Sequence, residues 1–476
     1  MNYTLTKNTR NILFGMMGLG VVGLLYALIT GIPGQRIWAN LLVNGLFFTF
    51  IALAGTFFVA VQYAAEAGWS AGFKRIPEAM GQYLPIGGIV VLVILAGSAF
   101  HFNHLYHWMD DYLVTEKTTV QDLKTYEEGL QAHATHAEHH DAAAPAAEGH
   151  GHDAHGETAE AHPKPEDHYT SEAKYPVGPA HDLYAANYAN ASPTDSIANP
   201  HFDDIIAGKS GYLNIPFFFA RALIYLLIWI AFTRFFRKRS LAEDLQGDEV
   251  KHKKNMNAAG WFLVFFAVTS STMAWDWVMS LDPHWFSTLF GWYVFAGMFV
   301  TGLTMITLIT IHLKRNGYFQ HINENHLHDL GKFMFAFSVF WTYLWTSQFL
   351  LIWYANIPEE VTYFMDRWEN YKFLWVTNLV VNFIFPFLVL MSRDAKRNTA
   401  FLTVAGVAII CGHWLDVFVM VMPSTVKENY GIGLLEIGMF AGFAGLFGFV
   451  TLKSLAKAAL VPKNHPFLDE SAHHHV

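Results

Sequence analysis

The chain has 476 residues, 53% of them hydrophobic and only 14% charged, with the apolar residues gathered into long runs; this is the composition of a polytopic membrane protein and excludes an ordinary soluble enzyme. The formal charge of −9 comes largely from one loop and says little about a nucleic-acid partner, which the membrane-like composition makes remote. The single cysteine, Cys411, lies within an apolar run, which excludes an internal disulfide, a cysteine-ligated iron–sulfur cluster and a covalent c-type haem motif.

A helix rising ~1.5 Å per residue needs roughly 20 apolar residues to cross a hydrocarbon core, and ten stretches meet that length. The first, near 11–30, follows Lys7 and Arg10 but is too long for a signal peptide and has no small-residue cleavage site, so it reads as a span. Spans near 38–64 and 84–104 follow. Residues 105–212 then interrupt the pattern, and the stretch 133–168 holds nine histidines among Ala, Gly, Pro and acids. Such a segment cannot bury enough apolar surface to offset chain entropy and reads as a solvated spacer. Loose binding of Zn, Cu or Ni is its functional alternative, and the same applies to the terminal His473, His474 and His475. The ends of the loop, 105–115 and 195–212, are richer in Trp, Tyr, Leu and Ile and are expected to pack on a partner. Seven more spans lie near 213–233, 259–280, 286–312, 331–352, 371–391, 400–421 and 432–452.

Lys and Arg gather on the side of the N-terminus, at Lys7, Arg10, Lys74, Arg75, the stretch 234–254, Lys314, Arg315, Arg393, Lys396 and Arg397. The short loops opposite carry only Arg36, Arg367, Lys372 and Lys427. This bias places both termini in the cytoplasm and the long loop outside.

With the loop set aside, an internal similarity emerges. Trp38, Gly55 and His101 match Trp285, Gly302 and Gln348 at one offset, and Asp276 and Pro283 match Asp416 and Pro423 at another. The expectation is an all-α protein of two parallel-repeat four-helix bundles plus two extra helices. Its parts are a first helix within 1–37, one bundle from 38–104 and 213–283, the insertion 105–212, a second bundle over 284–423, and a last helix with its tail over 424–476.

Counting residues from the helix ends places the costly groups in depth. Arg221 falls roughly 12 Å below the outer surface, with Asp276, Asp416, His413, His101, His104 and Gln348 in the same outer third. An ionised side chain facing lipid costs at least ~2.5 kcal/mol at mid-membrane, so these groups should face the bundle interior, with Arg221 paired to Asp276. Carboxylate and histidine at a membrane edge suit quinol oxidation, which needs an acceptor for each phenolic proton and a wet exit. Asp276, Asp416 and His413 are thus the candidates for chemistry, with His101, His104, Arg221 and Asp276 itself for holding a quinol. A purely structural ion pair fixing helix register is the competing account of Arg221 and Asp276. In the inner half, Gln62, Glu66 and the file Thr301, Thr304, Thr307 and Thr310 could order water toward the shelf, or the threonines could simply bond back to their own helix.

The run "STMAWDWVMSLDPHWFSTLFGWYVFAGM", with ten spans and a long third loop, resembles the second large membrane subunit of alternative complex III, the bacterial quinol:cytochrome c oxidoreductase. Such subunits are similar to the quinone-site subunits of polysulfide- and nitrite-reductase type. The resemblance covers the membrane part of the chain and implies a subunit without covalent cofactor, haem, iron–sulfur cluster or metal. It also implies the bacterial inner membrane, with the long loop periplasmic. The implied partners are a sister polytopic subunit, an iron–sulfur subunit, c-type haem subunits and lipid, and the implied substrate is a quinol, menaquinol in expectation. Asp276, Asp282 and His284 lie within the matching run, which adds Asp282 and His284 to the quinol-binding candidates. The sister subunit generally carries the quinol site, so a proton path is the other role open here. A scaffold, a secondary transporter and a haem b protein on His413 with His101 or His104 are the rival classes.

Overall fold

The computed structural model describes residues 3–127, 192–245 and 249–475. Among the described residues ten helices are long and apolar enough to cross a membrane: α1 Lys7–Ile29, α2 Gly34–Ala64, α3 Ala71–Ala99, α4 Ile215–Glu243, α5 His252–Leu281, α6 Phe290–Arg315, α7 Glu324–Ala355, α8 Lys372–Val389, α9 Thr399–Val426 and α10 Leu434–Leu455. The chain is an all-α polytopic membrane protein. The His-rich stretch 133–168 lies outside the described residues.

Two compact units are present, one of residues 1–109 with 212–476 and the other of 110–211. In the first, α2 is the most enclosed helix, with 94% of its membrane-length window buried, and α6 and α9 pack on it. The two repeat-matched glycines belong to this crowded centre. A Cβ on Gly302 would lie 2.3 Å from Cβ of Ala54, so only glycine lets α6 approach α2 here. The helices expected to stand outside the bundles, α1 and α10, pair with each other. Gly20 and Gly442 face one another so closely that a Cβ on either would come within 2.8–2.9 Å of the other's Cα, the close small-residue approach common between membrane helices. Glu436, fully buried on α10, ties that pair to α2 by bonds to Arg36 at 2.8 and 2.9 Å and to Asn40 at 3.1 Å.

Three helices depart from the sequence expectation. α3 stops at Ala99 rather than 104, because His101 takes a left-handed conformation at φ 58° while Phe102 N–H bonds back to Gly97. His101 and His104 therefore follow the helix rather than close it. α5 unwinds after Trp277 into a 3₁₀ turn at Met279–Leu281, whereas α9 runs on through Pro423 to Val426, so the matched prolines occupy unlike positions. α8 is broken by a π turn over Val380–Ile384, next to Pro386, which has no N–H to offer the carbonyl of Asn382 four residues before it. Between α7 and α8 an amphipathic helix, Pro358–Glu369, replaces what the sequence suggested was loop.

The tail after α10 folds back on the first unit. Ser471 Oγ accepts from Gly72 N–H and donates to Trp69 C=O, and His474 bonds Asp329 at 2.7 Å. The terminal histidines are thus not all solvated as expected: His474 is packed while His473 stays exposed. In the second unit, strands Lys117–Thr119 and Ser196–Ala198 pair antiparallel, Thr118 opposite Ile197. Asn199 closes this ribbon through Nδ2 bonds to Tyr112 and Thr115 carbonyls, and Tyr112 stacks on Tyr126 at 4.1 Å.

Candidate functional site

The polar residues of the shelf resolve into three groups. The first is the expected ion pair. Arg221, on the second turn of α4, meets Asp276, at the end of α5, through two 2.9 Å bonds from Nε and Nη2 to the two carboxylate oxygens. Tyr225, one turn along α4, donates to the same carboxylate at 3.0 Å, and Arg221 Nη1 donates to Tyr212 C=O at 3.1 Å. The guanidinium lies 3.9 Å from the Tyr212 ring and 4.3 Å from the Phe217 ring, and the carboxylate is fully buried. Both carboxylate oxygens of Asp276 are therefore held by fixed donors, as a bidentate pair requires when it is taken out of water.

The second group surrounds Asp416 on α9, and its chemistry differs. The carboxylate is 1% exposed, and Asn378 Nδ2 on α8 and Trp341 Nε1 on α7 donate to it at 2.7 and 3.0 Å. Tyr293, on α6, adds its hydroxyl to Oδ1. All three donors are neutral. The nearest side chain able to carry a positive charge is His413, whose Nδ1 is 3.7 Å from Oδ2, and no Lys or Arg of the described residues comes within ion-pair distance. His413 is itself buried, edge-on to Trp341 at 5.2 Å, and neither of its ring nitrogens makes a hydrogen bond among the described residues. Gly297 leaves open the place beside them, since a Cβ there would sit 3.4 Å from His413 Nδ1 and 3.6 Å from Asp416 Oδ2.

Two clefts meet this carboxylate cage. One is lined by Tyr293, Gln348, Tyr363, Arg367 and Asn378 among others, and the second by Phe50, Gly297, Thr301, His413 and Asp416 among others. Their interiors narrow until each admits about one or two waters. Over the first cleft, Arg367 lies 3.3 Å from the Tyr363 ring, which stacks on Trp285 at 3.8 Å. The donors are positioned by the break in α8: Asn382 Nδ2, within the π turn, bonds Asn378 Oδ1 at 2.6 Å and so turns the Asn378 amide toward Asp416.

The third group lies in the loops at the same helix ends. His107, half-buried, is pushed down to about 4 by burial and by neighbouring His104, Lys427 and His284, with Asp282 opposing. Here the quinol candidates His104, Asp282 and His284 come together. His101 is exposed, its ring 6.1 Å from that of His104, and does not join either carboxylate.

The inner candidates are arranged less favourably. Thr301, Thr304, Thr307 and Thr310 donate to the carbonyls of Gly297, Val300, Leu303 and Ile306 at 2.5–2.8 Å, so each hydroxyl proton is committed to its own helix. Gln62 accepts from Ser70 at 2.9 Å, and Glu66 is exposed beyond the end of α2. The sequence reading missed Tyr225, Tyr293, Trp341, Asn378 and Asn382. Only Asn378 and Asn382 left a signal, two amides one turn apart in a span with a proline four residues further on.

The sequence reading also missed a buried charge network at the other helix ends. Glu78 accepts from Arg75 at 3.1 Å and Arg237 at 3.2 Å, Arg75 also bonds Asp244 at 2.7 Å, and Lys74 lies 3.5 Å from Glu243. Three cations balance three acids, which makes the network self-neutralising. Comparison with known proteins adds no identity: no protein-family model matches the chain, and no protein of curated function matches it significantly.

Proposed function

We propose that this chain is an integral membrane subunit of a respiratory quinol:cytochrome c oxidoreductase of the bacterial inner membrane, in which it handles protons near the outer face. The observation that carries this reading is the cage around Asp416: a buried carboxylate held by neutral donors, with a histidine 3.7 Å away. A carboxylate locked to arginine has both oxygens committed to the ion pair. One held only by Tyr, Trp and Asn can exchange a proton with His413 through one intervening water, and the space beside Gly297 fits such a water. Asp276, by contrast, takes the structural role, fixing α4 against α5.

The narrow clefts favour water over a quinol ring, so proton handling is the part of the expected function that the geometry supports. His104, Asp282 and His284, gathered around His107, are the surface at which a quinol head group from the lipid or a sister subunit would be met. Asp416→Asn in the assembled complex tests the reading. Quinol oxidation or its coupling to proton movement should fall at least tenfold while assembly is retained. Full turnover with full coupling would refute it.

A further inference from the structure

At the helix ends remote from the shelf, Glu243 closes α4, His252 opens α5, and His465 follows α10 in the tail. One ligand atom from each lies within 4.8 Å of the other two. We propose that these three side chains form a binding site for a divalent transition-metal ion of the zinc type, a clip that fastens the C-terminal tail to the α4–α5 connection.

The three residues are brought together by separate elements. Lys463 N–H bonds Asp244 Oδ1 at 3.0 Å and Asn464 Nδ2 bonds Asp244 C=O at 3.1 Å, which carries the tail to the end of α4 and sets His465 there. Two neutral imidazoles and a carboxylate are a zinc ligand set, and with three protein ligands the fourth position is left to water. The rings already stand in a suitable relation. With Zn–N near 2.0–2.1 Å and a tetrahedral angle, the two ring centres should be about 5.2 Å apart. The centroids of His252 and His465 are 5.3 Å apart.

A second observation concerns His252. It is 7% exposed, and neither ring nitrogen has a hydrogen-bond partner among the described residues. Burying an imidazole without a partner is costly, and rings of Tyr63 and Phe467 at 5.6 and 5.5 Å offer it no compensation. A metal ion would satisfy it. The carboxylate is oriented from behind, as metal-binding carboxylates usually are: Asn255 Nδ2 donates to Glu243 Oε1 at 2.6 Å, and Oε2 accepts no hydrogen bond among the described residues.

Two contacts oppose binding. Lys74 Nζ, 3.5 Å from Glu243 Oε2, must yield that oxygen to the metal and retain its 2.8 Å bond to Tyr63. The long 3.3 Å contact from Phe467 N–H to His465 Nδ1 ends whichever ring nitrogen takes the metal. The ligand atoms must also close from 4.8 Å to the roughly 3.3 Å of a tetrahedral shell. These place the site below a closed four-ligand zinc centre in affinity.

The test uses the purified full chain, stripped with chelator and loaded with Zn²⁺ or Co²⁺, beside His252→Gln and His465→Gln. The histidines of 133–168 and of the terminus are present in all three proteins and give a common background. The wild type should hold one equivalent more than either variant, with a tetrahedral cobalt absorption that both variants lose. Equal stoichiometry and equal spectra would overturn the site. If His252→Gln does not insert, His465→Gln is read alone, since its residue lies beyond the last span. In the wild type itself, Zn²⁺ should slow proteolytic release of the tail after α10 severalfold and chelator should reverse this; no protection would overturn the clip.

Discussion

Replacing Asp276 by Asn keeps the side-chain volume and removes the charge that two Arg221 bonds share. The amide retains one acceptor oxygen, so one of the two 2.9 Å bonds survives in weakened form, while the other meets an N–H. Arg221, 8% exposed, is then left with that weakened bond, Tyr212 C=O and the Tyr212 and Phe217 ring faces, and with no counter-charge. Breaking one side of a buried pair costs about 3–5 kcal/mol, which is more than two powers of ten in the folded population. Arg221→Leu with Asp276→Leu removes both charges and fills the volume, and such exchanges are neutral or stabilising by about 1–4 kcal/mol. Reversible unfolding in mixed micelles should therefore rank the double variant at or above the wild type, and Asp276→Asn well below both. The reasoning fails if Asp276→Asn unfolds like the wild type, or if the double variant is the least stable of the three.

Asp416→Asn should be milder, costing about 1–3 kcal/mol by the same assay, because its partners are neutral and one oxygen can still accept from Tyr293 and Asn378. Gly297→Ala fits beside His413 without close overlap but occupies the water's place; proton coupling in the complex should fall while the unfolding free energy stays within ~1 kcal/mol of the wild type, and unchanged coupling would count against the water bridge. Gly442→Val should separate α1 from α10 and lower stability by about 1–3 kcal/mol, read from the same unfolding curves. His107 sits at about 4 in the fold against an ordinary value near 6.5, so the unfolded chain binds the extra proton between those values. Stability should be full above pH ~6.5 and fall by on the order of 2–3 kcal/mol as pH drops toward 4, and His107→Gln should flatten that slope.

The ten spans were legible in the sequence because hydrocarbon thickness sets a length and excludes charge, two demands that any window of the chain reveals by itself. The Arg221–Asp276 pair was legible for the same reason. Two opposite charges buried at one depth have few ways to be satisfied, and counting residues from helix ends measures depth. What lies across from a residue is another matter. Asp276 and Asp416 share a spacing to proline and looked like equivalents, yet one faces arginine and the other a cage of Tyr293, Trp341 and Asn378 drawn from three helices 38 to 123 residues away. No local pattern records which helix faces meet, because lipid-facing and helix-facing positions are both apolar. The break in α8 turns Asn378 toward Asp416, and the returning tail carries His465 to Glu243 and His252. Both depend on packing between distant segments, and so only the tertiary structure could decide them.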